Sequence, residues 1–168
     1  REFQSRINSI ALLHQQLSSE HADSDFDMGA YIRNLTRILS PQTETGKHIR
    51  VETHVEHHRM TVKAGSTIGL ILSELITNAE KHAFPDERPL SDEAEEPAIT
   101  IKFGENTDTT VALTVSDNGR PLSENPLTAR AGSQGMRLIK MLCEQIDGTI
   151  TFEQGPREKS FTVVWPKK

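Results

Sequence analysis

Four polar side chains interrupt an apolar helical pattern in the stretch "LILSELITNAEKHAF", residues 70–84. They are a carboxylate, an amide, an amine and an imidazole, carried by Glu74, Asn78, Lys81 and His82. A helix advances about 100° per residue, so the other three lie within about 80° of Glu74 around the axis. A carboxylate and an imidazole can move protons, an amide oxygen can bind a hard cation, and an amine can neutralise phosphate. The stripe either lines a site for an anionic ligand or is the solvent face that any surface helix has.

Two short glycine-containing motifs follow along the chain. "VSDNG" ends an apolar alternation with Asp117, and Gly119 comes two residues later. A carboxylate at a strand end can accept from an amino group of a bound ring, and a glycine lets a ligand approach the backbone. "AGSQGM" opens a helix with Gly132 and Gly135, where free N–H groups and the helix dipole favour phosphate. Each motif alone also fits a plain turn or a packing glycine.

The elements that must position these groups follow from the hydrophobic periodicity. Apolar spacings of three and four predict helices over about 2–18, 24–39 with Asp25 or Asp27 as cap, 65–84 and 133–147. Alternation predicts strands within 48–57, 98–104 and 110–117, a short one at 59–63, and a closing hairpin of 149–155 and 160–166. This order predicts an α+β fold, a two-layer sandwich with helices on one face of a mixed or antiparallel sheet.

Composition and charge exclude several classes of function. The chain has 24 acidic and 19 basic residues, a net charge of -5, so we expect no nucleic acid partner. No apolar run approaches the roughly 20 residues that cross a bilayer, and we expect no membrane contact by this chain. Its single cysteine, Cys143, excludes an intrachain disulfide and fits a reducing, cytoplasmic compartment. The acidic excess lies in residues 86–97, which predicts a solvated loop.

In this order the three motifs resemble the ATP-binding domain of the GHKL superfamily, which includes gyrase, Hsp90, histidine kinases and MutL. "SELITNAEKHAFP" is similar to the N box of a histidine kinase, "DNG" to its G1 box and "GSQGMRLI" to its G2 box. Upstream, "RINSIALLHQQL" and "YIRNLTRIL" resemble the helices that precede this domain in the HWE-like branch of sensor histidine kinases. The resemblance covers nearly the whole chain. It implies a partial helical segment at 1–42, the tail of a dimerisation and phosphotransfer region with a connector helix, and a Bergerat-type ATP-binding catalytic domain at 43–168.

The resemblance implies ATP and Mg²⁺ as cofactors and gives the polar stripe its roles. Asn78 would bind Mg²⁺ through its side-chain oxygen, a hard ligand for a hard ion. Glu74 would be catalytic, orienting the acceptor imidazole or holding a metal-bound water. Lys81 and His82 would lie near the phosphates, where positioning and charge neutralisation supply most of the catalysis of phosphoryl transfer.

The resemblance also assigns the glycine-containing motifs. Asp117 would accept a hydrogen bond from the adenine amino group, and Gly119 would leave room for the ring. The segment between the G1 and G2 boxes would form a lid over the nucleotide. Gly132 and Gly135 would let this lid and the start of the following helix wrap the triphosphate. These four residues and the polar stripe together make up the expected nucleotide site.

The implied activity is that of the catalytic portion of a cytoplasmic sensor histidine kinase in two-component signalling. Such an enzyme moves the γ-phosphoryl group of ATP to a histidine and then to an aspartate on a response-regulator receiver domain. The accepting histidine would lie upstream of Arg1, because His14 aligns with the second helix and is interpreted as a packing residue. The apolar stripes of the N-terminal helices indicate a homodimer.

Departures from the family pattern leave two alternatives open. Pro121 stands where the G1 box commonly has a second glycine, and "GPREKSF" offers Glu158 and Lys159 where a Gly-Thr pair usually precedes the last strand. The Trp-x-Glu motif of strict HWE members is also missing from the sequence. One alternative is a degenerate GHKL fold that acts as a phosphotransfer or regulatory adaptor without binding ATP. The other is an interaction domain whose polar stripe only faces solvent.

Overall fold

The computed structural model describes residues 25–39, 41–42, 46, 48–84, 96–129 and 133–167. Within these ranges the helices are α1 (Met28–Leu39), α2 (Val62–His82) and α3 (Gln134–Gln145). The strands are β1 (Asp25–Asp27), β2 (Arg50–Val55), β3 (Arg59–Thr61), β4 (Ala98–Thr107), β5 (Thr110–Asp117), β6 (Thr149–Gln154) and β7 (Lys159–Pro166). The helix predicted over 2–18, with His14, and the loop predicted over most of 86–97 lie outside the described residues.

Among the described strands, five form one mixed sheet in the order β2-β4-β5-β7-β6. The pair β2 and β4 is parallel, and the other neighbours are antiparallel. A parallel pair needs a long crossover between its strands, and α2 lies in that connection. β1 and β3 form a separate antiparallel ribbon. The predicted α+β fold, with helices beside a mixed sheet, is confirmed.

One face of the sheet is apolar, and α2 and α3 cover it. Strand side chains alternate between the two faces, so every second residue of a strand reaches the helices. The alternation in β5 buries Val111, Leu113 and Val115, and that in β7 buries Phe161, Val163 and Trp165. The helices contribute aliphatic side chains to the same core, among them Ile68, Ile71, Leu72, Ile139 and Leu142. The core is therefore mainly aliphatic.

The helices begin where side chains satisfy their free N–H groups. Thr61 caps α2, with its hydroxyl 3.4 Å from the N–H of Ala64, so the helix starts at Val62 and not near residue 65. The short strand predicted at 59–63 consequently ends at Thr61. Asp27 lies at the start of α1 and accepts from the N–H of Gly29 at 3.0 Å. In the part of the chain that the structure describes, no helix is both long and apolar enough to span a bilayer.

The aliphatic core gives a stability prediction with a matched control. Replacing Ile101 by Ala should lower the free energy of unfolding by about 2–5 kcal/mol, because this fully buried side chain lies in the middle of β4. Replacing Met141, which is 57% exposed on α3, by Ala should change it by no more than about 0.5 kcal/mol. Urea denaturation of both variants measures the difference. Equal losses at the two positions would contradict the assignment of the core.

Candidate functional site

A cavity of about 260 Å³ opens between α2, the adjoining ends of β5 and β7, and the segment 122–129. Much of its wall is apolar, with Leu75, Ala79, Val115, Met136 and Phe161 among its lining residues. The polar side chains around it are Asn78, His82, Asp117, Ser123, Glu124, Ser133 and Lys159. Asn78 of α2 and Asp117 of β5 therefore border the same hollow, although the two motifs are far apart in the sequence.

The polar stripe of α2 is partly buried by the start of α3. Glu74 is only 5% exposed, so it does not belong to a solvent face. A methyl group at Gly135 would lie 3.0 Å from Oε2 of Glu74 and 3.4 Å from Oδ1 of Asn78. Ser133 caps α3 and accepts from the N–H of Met136 at 3.2 Å. The positive end of the α3 dipole thus lies beside a carboxylate and an amide oxygen, which it stabilises.

A buried ion pair joins the ends of β5 and β7. Asp117 and Lys159 are direct partners in the antiparallel register, and both lie on the helix-covered face. The Lys159 ammonium group donates to Oδ1 of Asp117 and, at 2.8 Å, to the carbonyl oxygen of Arg120. The N–H of Gly119 donates to the same Oδ1 at 3.0 Å. Burial raises the pKa of Asp117, whereas the bonds from Lys159 and Gly119 oppose that rise.

The loop after β5 is bound to the carboxyl end of α2. The N–H of Arg120 donates to the carbonyl oxygen of Ala83 at 2.8 Å, and its Nε donates to that of His82 at 2.9 Å. A methyl group at Gly119 would overlap the Ala83 carbonyl, so this close approach requires glycine. Whether Gly119 also gives a ring room stays a prediction.

The described part of the lid, residues 118–129, is held on both sides. The amide group of Gln154 on β6 accepts from the N–H of Leu122 at 2.7 Å and donates to its carbonyl oxygen at 3.2 Å. Lys140 of α3 donates to the carbonyl oxygen of Leu127, whose side chain packs against the core. These contacts hold the residues that form the outer wall of the cavity.

The structure brings together most of the residues that the motifs singled out. Asn78, His82 and Asp117 border the cavity, and Glu74 and Gly135 lie directly beside Asn78. Lys81 is half-buried and is not part of the cavity lining. Gly132 lies outside the described residues. Burial, together with the charges of Lys81 and Arg120, lowers the pKa of His82, which favours its neutral form.

Lys159 is the site residue whose role the motifs did not reveal. In the sequence, Lys159 stands out only as a departure from the Gly-Thr pattern, which does not indicate where its side chain lies. The signal was present in the alternation of β7, because Phe161, Val163 and Trp165 face the helices and Lys159 has the same parity. Glu158, the other residue at the position of the Gly-Thr pair, is exposed.

Comparison with known proteins decides the family. A family model described as "Histidine kinase-, DNA gyrase B-, and HSP90-like ATPase" matches residues 63–168, and one described as "Histidine kinase" matches residues 1–43. The chain belongs to the histidine kinase-, gyrase B- and HSP90-like ATPase family. The resemblance inferred from the N, G1 and G2 motifs is thereby confirmed. Residues 63–168 match the histidine kinase-type ATPase domain, and the segment before them, residues 1–43, matches a histidine kinase family.

Individual relatives agree with the family. The chain is 23% identical over 154 residues to Blue-light-activated histidine kinase 2 of Erythrobacter litoralis, a match that covers 89% of this chain and 42% of that protein. The solved histidine kinase domain of an Erythrobacter litoralis blue-light activated histidine kinase has a TM-score of 0.77 at 21% identity, covering 99% of this chain and 75% of that one. Full-length ShkA, solved in complex with AMPPNP, has a TM-score of 0.64 at 15% identity, covering 96% of this chain and 34% of that one. These likenesses to solved structures establish the fold.

The ion pair of this histidine kinase-type domain gives a pH-dependent stability prediction. Lys159→Met should lower the free energy of unfolding by about 3–5 kcal/mol at neutral pH, because Asp117 is then a buried, unpaired charge. Without the ammonium group, folded Asp117 binds a proton more readily than the unfolded chain does. Stability therefore falls as the pH rises from about 4 toward the folded-state pKa.

Urea denaturation at about pH 4.5 and pH 7 measures the deficit, which is the difference in free energy of unfolding between the wild type and Lys159→Met. The deficit should be smaller at the lower pH. Lys102→Met, at an exposed position of β4, removes the same charge and should show little deficit at either pH. Adding Asp117→Asn to Lys159→Met should remove the pH dependence. A deficit that is the same at both pH values would contradict a charged, unpaired Asp117 in the variant.

Proposed function

We propose that this chain is the catalytic ATP-binding portion of a cytoplasmic sensor histidine kinase. The full protein would transfer the γ-phosphoryl group of ATP to a histidine and then to an aspartate on a response-regulator receiver domain. The observation that carries this proposal is the single cavity bordered by Asn78 and Asp117, against which Gly135 brings the start of α3. Membership of the ATPase family supports it.

The groups around the cavity fit a nucleotide. Its apolar wall, which includes Val115 and Phe161, suits the faces of a base, and Asp117 at one end can accept from a ring amino group. At the other end, Ser133 opens α3, whose first N–H groups suit phosphate oxygens. The neighbouring Gly132 would let the lid wrap the phosphates, in a part of the lid outside the described residues.

The residues also fit Mg²⁺ bound together with the nucleotide. The described residues contain no group of three His, Cys, Asp or Glu side chains that could hold a metal ion on its own. Mg²⁺ characteristically keeps several waters and takes one or two protein ligands plus phosphate oxygens. The Asn78 side-chain oxygen would be the protein ligand, and the ion would neutralise charge on the phosphates.

The chain's own residues would act mainly by positioning and by charge. Glu74, buried beside Asn78, would orient the acceptor imidazole or a metal-bound water as a catalytic carboxylate. Lys81 and His82, on the last turn of α2, would lie near the phosphates. Such placement suits phosphoryl transfer, which needs oriented groups more than covalent chemistry.

The full protein's partners are part of the same proposal. The chain spans 42% of the length of the curated relative it matches. We assign residues 1–42 to the tail of the dimerisation and phosphotransfer region with its connector helix, and residues 43–168 to the ATP-binding catalytic domain. Ile38, 45% exposed on α1, is an apolar group available for a homodimer contact.

One observation favours a second candidate function. Asp117, the expected base-binding carboxylate, is already paired with Lys159 and is only 7% exposed. If this pair excludes the base, the chain is a degenerate member of the family that acts as a phosphotransfer or regulatory adaptor. Nucleotide binding by the folded chain separates the two candidates.

The kinase proposal predicts binding of Mg-ATP that depends on Asn78. Isothermal titration calorimetry of the chain should show saturable binding in the micromolar to millimolar range. Asn78→Ala should weaken it by about tenfold or more, a loss of about 1.4 kcal/mol or more, because the ion loses its protein ligand.

Asn106→Ala is the matched control, because Asn106 is an exposed asparagine at the far end of β4 and should leave the affinity unchanged. Removing Mg²⁺ with a chelator should weaken binding by wild type but have much less effect on Asn78→Ala. If the folded wild-type chain binds no Mg-ATP at millimolar concentration, the adaptor function replaces the kinase.

A further inference from the structure

The Asp117–Lys159 pair still has hydrogen-bonding capacity to offer a ligand. Oδ1 of Asp117 accepts two bonds, from Lys159 and Gly119. Among the described residues, the second oxygen, Oδ2, has no partner. A lysine ammonium group has three N–H donors, and the structure uses two of them. Both side chains border the cavity, so one acceptor and one cationic donor lie next to each other at its base-binding end.

A carboxylate alone would discriminate between the two purines. It is an acceptor only, so it pairs with the 6-amino group of adenine. Guanine carries an oxygen acceptor at the same ring position, and a carboxylate facing that oxygen is repelled and left unpaired. Discrimination of this kind is strong, because a buried polar group without a partner is costly.

Lys159 changes this arrangement because lysine is a donor only. With guanine, the ammonium group can donate to O6 while Oδ2 of Asp117 accepts from the neighbouring ring N–H. With adenine, Oδ2 accepts from the 6-amino group while the ammonium group donates to N7, which lies on the other side of that amino group from N1. The donor and the acceptor of the pair thus keep the same order along both purine edges, with the ring of guanine turned and shifted by one position relative to that of adenine.

We propose that Lys159 is a specificity-determining residue that widens the base specificity of this site, so that it accepts guanine as well as adenine nucleotides. This inference rests on the proposed nucleotide-binding function and goes beyond it by naming the ligand class. Its basis is the burial of Lys159, at 4% exposure, directly against the carboxylate that would otherwise select adenine.

Calorimetric titration of the full chain with Mg-ATP and with Mg-GTP tests the proposal. The two dissociation constants of the wild type should agree within about tenfold. Lys159→Thr, which removes the cationic donor, should weaken GTP relative to ATP by at least about fivefold. Lys159→Arg, which keeps a cationic donor, should stay nearer the wild-type ratio than Lys159→Thr does. Lys102→Thr removes an exposed lysine of β4 and should keep the wild-type ratio.

The outcomes separate this inference from the function on which it rests. If the folded wild type binds ATP but binds GTP more than about tenfold more weakly, the widened specificity is wrong and the kinase proposal stands. A smaller than fivefold effect of Lys159→Thr has the same consequence. If wild type binds neither nucleotide, both proposals fall. Should Lys159→Thr fail to fold, the wild-type ratio alone decides, because it requires no variant.

Discussion

The pairing of β5 with β7 is the constraint on which the site depends. Their antiparallel register places Asp117 opposite Lys159, at the strand ends that lie nearest to the carboxyl end of α2. Strand alternation then sends both side chains to the helix-covered face, where each needs the other because an unpaired charge there is costly. The same register anchors the loop after β5, since Lys159 also holds the carbonyl oxygen of Arg120 and Arg120 is bonded to Ala83.

The second constraint is the meeting of two helices at a residue without a side chain. Gly135 lets the start of α3 approach Glu74 and Asn78 closely enough for its dipole to act on them. Glu74 is buried there beside the cavity, whereas Asn78 borders it directly. This arrangement explains why one helix carries both aliphatic residues for the sheet and polar residues for a ligand.

Local patterns predicted most elements well, although residues 25–27, predicted as the start of a helix, form β1; they predicted long-range contacts poorly. Alternation in "TVALTVSD" predicted β5 over 110–117, as the structure has it, because the strand is half covered and each face has its own chemistry. The stripe of Glu74, Asn78 and His82 followed from helical geometry alone. The start of α2 was predicted three residues late, because the cap at Thr61 is a single hydrogen bond that periodicity does not register.

The partner of Asp117 could not be read from the sequence in the same way. Lys159 lies 42 residues away, and its pairing follows from which strands are neighbours in the sheet, a property of topology that no local spacing encodes. Once the antiparallel register of β5 and β7 is known, Asp117 and Lys159 are opposite each other and parity places both on the helix-covered face. The hydrogen bonds between Gln154 and the backbone of Leu122 are likewise not predicted by any motif, because they depend on where the lid crosses β6.

The cap of α1 also connects this helix to the segment that precedes α2. Oδ1 of Asp27 accepts from the N–H of Gly29 on the helix and also interacts with His57 and the N–H of His58. Gly29 in turn packs against the backbone of Glu56, so the first turn of α1 is fastened to the connection that leads through β3 into α2. The start of α1 is therefore held against the segment that leads into α2, the helix that carries His82 at its other end.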